Sequence, residues 1–196
     1  MNDDKISRYL SYILRHNPND LPIEMDKNGW VNVDKLVSGI ISKKQLKFTR
    51  EDLDRIVETD SKGRYEYGPD KVMIRACQGH SIKNVDLEFE EVIPPLSLYH
   101  GTSDRFLNAI QRVGIKPQTR QYVHLSSTME TAREVGSRHG LPVVIRIDAR
   151  KMYKDGIKFY RSKNGVWLTE IVKPEYFKNI FVLKEYHNRL KENQNE

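Results

Sequence analysis

Near the start of the chain Ile6, Tyr9, Leu10, Ile13 and Leu14 recur at i, i+3, i+4, i+7 and i+8, the spacing of one apolar helical stripe. Asn17-Pro18 interrupts it, so a helix is predicted to end near His16, with Arg8, Ser11, Tyr12 and Arg15 on the opposite, polar face. Val33, Leu36, Val37, Ile40 and Ile41 predict a second short helix. Thr49 with Asp52 three residues on predicts a capping box that opens a third, whose Leu53, Ile56 and Val57 face inward. The period then changes. Arg64 to Tyr67 and Val72 to Ala76 read as strands joined by Gly68-Pro69-Asp70-Lys71, residues with turn chemistry. Three short helices followed by a hairpin predict a winged-helix-like lobe.

From about Gln78 to Ser97 the chain is polar and acidic and runs into Pro94-Pro95, which marks a boundary. Beyond it, strands are predicted at Ser97 to His100, Tyr122 to Leu125, Val143 to Ile147, Ile157 to Tyr160, Gly165 to Val172 and Ile180 to Leu183. Helices are predicted from about Arg105 to Val113 and from a Thr128 cap to about Gly136. Asn164-Gly165 is a hairpin signal. The fold class expected is α+β, with a first lobe over 1–95, a second over 96–187 and a polar tail over 188–196.

Composition adds three limits. No apolar run approaches the ~20 residues that span a bilayer, and the first residues lack the basic start and apolar stretch of a signal peptide, so cytoplasmic residence is expected. A single cysteine, Cys77, forms no internal disulfide, and no Cys/His cluster has zinc spacing, so no metal is predicted. The net charge of +6 favours an anionic partner, although 33 basic against 27 acidic residues is an imbalance and not a basic tail.

The candidate chemistry lies at segment edges. Leu98-Tyr99-His100-Gly101-Thr102 ends one predicted strand, where glycine admits close backbone approach and His and Thr offer hydrogen bonds to hydroxyls; on spacing alone a plain strand end, with His100 bonded to a neighbouring carbonyl and Gly101 in a turn, is the better reading of these residues. A second strand ends in Val123-His124-Leu125-Ser126-Ser127, and rigidly held strand-end loops suit ligand binding. Arg15-His16 closes the first helix, Arg64 opens the hairpin and Arg120 precedes a strand. Guanidinium groups match phosphate bidentately, so these arginines would form a phosphate site if the fold gathers them.

Read as a set, eight ordered blocks resemble the RNA 2′-phosphotransferase family over nearly the whole chain. They are Ser11-Tyr12-Ile13-Leu14-Arg15-His16, Gly29-Trp30-Val31, Lys62-Gly63-Arg64-Tyr65, Arg75-Ala76-Cys77-Gln78-Gly79-His80-Ser81, Leu98-Tyr99-His100-Gly101-Thr102, Val123-His124-Leu125-Ser126, Val135-Gly136-Ser137-Arg138-His139-Gly140 and Asn164-Gly165-Val166-Trp167-Leu168-Thr169. The resemblance implies a winged-helix-like RNA lobe followed by an ADP-ribosyltransferase-like lobe with a split β-sheet. It implies a catalytic set of Arg15, His16, Arg64 and Arg120, with Arg138 the alternative for the fourth place. It further implies that His100, Gly101, Thr102, Ser126 and Arg138 hold NAD⁺ as co-substrate, without the Gly-x-Gly-x-x-Gly fingerprint of a Rossmann site.

By the same resemblance, an internal RNA 2′-phosphate, as at a tRNA splice junction, attacks the nicotinamide-bearing ribose carbon of NAD⁺ and expels nicotinamide. The ribose 2″-hydroxyl then attacks phosphorus, giving 2′-hydroxyl RNA and ADP-ribose 1″,2″-cyclic phosphate. Glu170 sits where protein-modifying ADP-ribosyltransferases place an activating glutamate, but an already anionic nucleophile needs no such base, so a structural or surface role is expected. A monomer is expected. Two rival readings stand beside this one: an ADP-ribosyltransferase that stops after the first step on protein or nucleic-acid ends, and a noncatalytic winged-helix nucleic-acid-binding protein.

Overall fold

The computed structural model describes residues 3–138 and 140–184, so the tail expected over 188–196 and His139 of the seventh block lie outside the described residues. The chain divides into two compact units, Met1–Glu88 with Thr119–Gln121, and Phe89–Gln118 with Tyr122–Glu196. The segment carrying Arg120 therefore groups with the first unit.

In the first unit α1 (Asp3–Arg15) buries Ile6, Leu10, Ile13 and Leu14, the stripe read from spacing, while Tyr9 is only partly covered. Covering one such aliphatic side chain contributes roughly 1.5–3 kcal/mol, so this face alone fixes the helix against its core. Asp3 and Asp4 in its first turn and Arg15 in its last complement the helix dipole. β1 (Val31–Asn32) leads into α2 (Val33–Lys44), where the Asn32 side chain accepts from Lys35 N. Val33, Leu36 and Ile40 are buried; Ile41 falls on the flank of that stripe and is exposed. The predicted capping box forms at α3 (Arg50–Glu58): Thr49 accepts from Asp52 N and Asp52 accepts from Thr49 N.

β2 (Tyr65–Tyr67) and β3 (Met73–Ala76) make the expected antiparallel hairpin, and β1 joins the other side of β3, giving the order β1-β3-β2. Two residues are too few for a periodic signal, which is why β1 is invisible to pattern reading.

The second unit contains β4 (Leu98–Ser103), α4 (Asp104–Val113), β5 (Val123–Leu125), α5 (Met129–Ser137), β6 (Pro142–Ile147), α6 (Ala149–Lys154), β7 (Tyr160–Arg161), β8 (Trp167–Thr169) and β9 (Phe177–Val182). Two antiparallel three-stranded sheets, β4-β6-β9 and β5-β8-β7, are linked by a bridge between Tyr99 and Ser126. β7 and β8 pair across the loop holding Asn164-Gly165. β4 runs three residues further than expected, so His100, Gly101 and Thr102 lie within a strand and not at its end. α6 was not expected; six residues are too short for periodicity, although Asp148 gives an N-cap signal by accepting from Lys151 N. Mixed α and β elements with small antiparallel sheets and six α-helices among the described residues agree with the α+β expectation.

Candidate functional site

The first unit collects basic side chains around the end of α1. Arg15 is its last residue, and the 79–81 segment is fastened to it: Ser81 N donates to Arg15 O at 2.9 Å, and Ser81 Oγ lies 3.0 Å from His16 Nδ1. Gly79 has φ +89°, which favours glycine, and a Cβ there would come within 3.6–3.8 Å of Arg15 Cδ, Nε and Cζ. Backbone thus runs along the guanidinium. Nε and Nη2 of Arg15 are buried and have no hydrogen-bond partner among the described residues.

Arg64 is held differently. Asp60, its side chain only 2% exposed, accepts from Arg64 N at 2.5 Å, Nε at 2.9 Å and Nη2 at 2.6 Å. Nη1 is the guanidinium nitrogen that Asp60 does not engage. The hydrogen bonds to Asp60 raise the Arg64 pKa, against the opposing effect of burial. Burial pushes Asp60 up, but the bonds and charge of Arg64 outweigh it and hold the carboxyl below its usual range.

Arg120 is exposed, and its neighbour Gln121 anchors the segment: its backbone N–H donates to His80 O at 3.2 Å, and its side-chain amide donates to Ile82 O at 3.0 Å and Val85 O at 2.6 Å. The convergence that spacing left open is visible in the electrostatics. The pKa of Arg15 is lowered by burial first, with Arg120 and Arg64 pushing the same way and Tyr65 against. His16 is lowered by burial and then by Arg15 and Arg120. Three guanidiniums and an imidazole share one field, and the Asp60 carboxylate is bonded to Arg64. Such a cluster is complementary to a compact dianion.

In the second unit His100, Gly101 and Thr102 share β4, and Ser126 follows β5, joined to β4 by Ser126 N to Tyr99 O at 2.8 Å and Tyr99 N to Ser126 O at 2.9 Å. His100 Nδ1 is 3.2 Å from His124 O. A carbonyl oxygen only accepts, so Nδ1 carries the proton; burial lowers the ring's pKa, which leaves Nε2 of the neutral ring as an acceptor suited to a hydroxyl. A Cβ on Gly101 would overlap the Ala132 carbonyl of α5, and one on Gly136 would lie 2.5 Å from Thr102 O. Those glycines let α5 lie on β4, so Gly101 meets a helix where ligand approach was expected, and offers a ligand only its backbone. Thr102 is buried, and Ser103 Oγ is buried without a partner among the described residues. Arg138 is exposed at the C-terminal cap of α5. Glu170 is exposed after β8, as expected of a surface residue.

The sequence model of the RNA 2′-phosphotransferase, Tpt1 / KptA family matches residues 1–171. The chain belongs to the RNA 2′-phosphotransferase family. Its similarity to curated members covers most of its length. A protein of Fusobacterium nucleatum named probable RNA 2′-phosphotransferase is 47% identical over 178 residues, 90% of this chain and 98% of that one. Proteins of the same name from Flavobacterium johnsoniae and Shigella boydii are each 46% identical, over 87% of this chain and 93% and 92% of theirs. RNA is therefore the substrate class of the RNA 2′-phosphotransferase family to which these residues belong, and the resemblance read from the eight blocks is established. Asp60 and Gln121 were not singled out from sequence, and Ser81 stood only as the end of the fourth block, with no role. Asp60 four residues before Arg64 has ion-pair spacing, whereas nothing local flags Gln121.

Proposed function

We propose that this protein is an NAD⁺-dependent RNA 2′-phosphotransferase. The first unit serves as a winged-helix-like RNA lobe and the second as an ADP-ribosyltransferase-like lobe. The observation that carries the reading is Arg15: a guanidinium with two buried nitrogens that have no partner among the described residues, in the combined field of Arg64 and Arg120, offers its donors to an anion.

Arg15, Arg64 and Arg120 hold the RNA 2′-phosphate, and His16, kept in orientation by Ser81, donates to the same group. NAD⁺, as co-substrate, supplies an electrophilic ribose carbon with nicotinamide as leaving group. The second unit's polar set fits a nucleotide sugar: His100 Nε2 accepts from a ribose hydroxyl, and Thr102 and Ser103 Oγ, which has no partner among the described residues, offer further polar contacts. Ser126 and the backbone of Gly101 complete this set, with Arg138 on the dinucleotide. In the first step a phosphate oxygen bonds to the ribose carbon as its bond to nicotinamide breaks. In the second, the adjacent 2″-hydroxyl attacks phosphorus, the RNA 2′-oxygen leaves with a proton, and ADP-ribose 1″,2″-cyclic phosphate is released. Negative charge gathers on the phosphoryl oxygens in that second step, where preorganised guanidiniums act most strongly.

The test is nicotinamide release from NAD⁺ with two RNAs that differ only in an internal 2′-phosphate. Release that depends on the 2′-phosphate supports the reading; equal release with both RNAs contradicts it.

A further inference from the structure

Beside the arginine cluster α1 presents an aromatic row to which the proposed chemistry gives no task. Tyr12 is a large side chain 45% exposed on a helix whose other face is buried. Its ring is held on several sides. Asn17 Nδ2 donates to its hydroxyl at 3.0 Å, the Tyr9 ring stacks with it at 6.5 Å between centroids and 25° between planes, and the His16 ring lies 6.4 Å away. Tyr9 is fixed in turn, donating to Asp20 at 2.7 Å with Lys44 Nζ 4.0 Å from its ring centroid.

We infer that Tyr12 is a stacking platform for one nucleobase of the RNA substrate, at or next to the nucleotide that carries the 2′-phosphate. Aromatic rings beside a cationic track bind RNA bases by their π-faces, tolerant of sequence. Position supports this occupant over any other. Tyr12 lies one helical turn before His16, and on a ribose the base and the 2′-phosphate leave adjacent carbons, so a phosphate held at Arg15 and His16 keeps a base within a few bonds of this ring. A pinned ring also loses little freedom when a base settles on it. The recognised feature is then an unpaired nucleotide at the phosphorylated position, because a base engaged in a continuous helix does not offer its face. The inference rests on the reading of the first unit as the RNA-phosphate site.

The experiment uses a 2′-phosphorylated oligoribonucleotide and three versions abasic at the phosphorylated nucleotide or at either neighbour. Wild type, Tyr12→Ala and Tyr12→Phe are compared by single-turnover kcat/KM and by equilibrium binding. With wild type, one abasic version is expected to lose on the order of tenfold. Tyr12→Ala should lose the same factor on intact RNA and nothing further on that abasic version, whereas Tyr12→Phe, which keeps the ring, stays near wild type. A Tyr12→Ala penalty equal on intact and all abasic RNAs makes the ring merely structural and overturns the inference, as does no penalty at all. If wild type releases no nicotinamide with any RNA, the proposed reaction fails, and the binding arm still decides whether Tyr12 holds a base.

Discussion

Arg64 and Asp60 form a three-bond clamp, with the backbone N, Nε and Nη2 of the arginine all donating to one carboxylate whose side chain is 2% exposed. One edge of the guanidinium is thereby fixed and the remaining nitrogen, Nη1, has a set direction. Asp60→Asn keeps an acceptor but loses the charge, so the second step should slow by about tenfold with KM for NAD⁺ unchanged. Asp60→Ala should slow it further and destabilise the first unit by about 3 kcal/mol, because it strands a partly buried cation. Single-turnover kinetics and urea unfolding report both effects. Wild-type rates in the two variants would show that the clamp serves stability alone.

Arg120 and Arg138 make opposite predictions. Arg120 contributes to the field at Arg15 and His16, and Arg138 caps α5 in the other unit. Arg120→Ala should therefore accumulate ADP-ribosylated RNA, with a second step slower by a hundredfold or more, and Arg138→Ala should instead raise KM for NAD⁺. Trapping by Arg138→Ala with normal turnover by Arg120→Ala would exchange the two roles.

His80 gives a pH prediction independent of activity. The ring is buried, and desolvation, with Arg15, His16 and Arg75 adding to it, lowers its pKa to about 4. Unfolded, it titrates near 6.5, so between those values the unfolded chain binds more protons and stability falls as pH drops from 6.5 toward 4. The loss attributable to this group reaches on the order of 3 kcal/mol at the acid end and vanishes above pH 6.5. Nuclear magnetic resonance should show His80 still neutral at pH 5. A midpoint near 6.5 would contradict the buried, uncharged ring.

How much of this was legible in the chain follows from the range of each signal. The α1 stripe, the Thr49 capping box and the β2–β3 hairpin depend on neighbours within a few residues, and each formed as its spacing required. Gly101 had two local readings, and only the crossing of α5 shows what fills the space of its missing side chain. The gathering of Arg15, Arg64 and Arg120 joins positions 105 residues apart, held by Gln121 bonds to carbonyls that no motif encodes.

Salt should weaken RNA binding, since basic residues on the polar side of α1 displace counterions from phosphates. Arg8 is exposed there, and Arg8→Ala should lower affinity evenly across sequences and reduce the log–log salt slope by about 0.7. Titrations that are flat from low to moderate salt would remove α1 from the RNA surface.

The central claim is that the phosphate itself changes hands, and a radioactive 2′-phosphate on the RNA follows it directly. With NAD⁺ and wild-type protein, the label should leave the RNA and appear in ADP-ribose 1″,2″-cyclic phosphate, while Arg120→Ala should retain it on RNA of higher mass. Label released as inorganic phosphate, or left on unmodified RNA while NAD⁺ is consumed, would contradict the account.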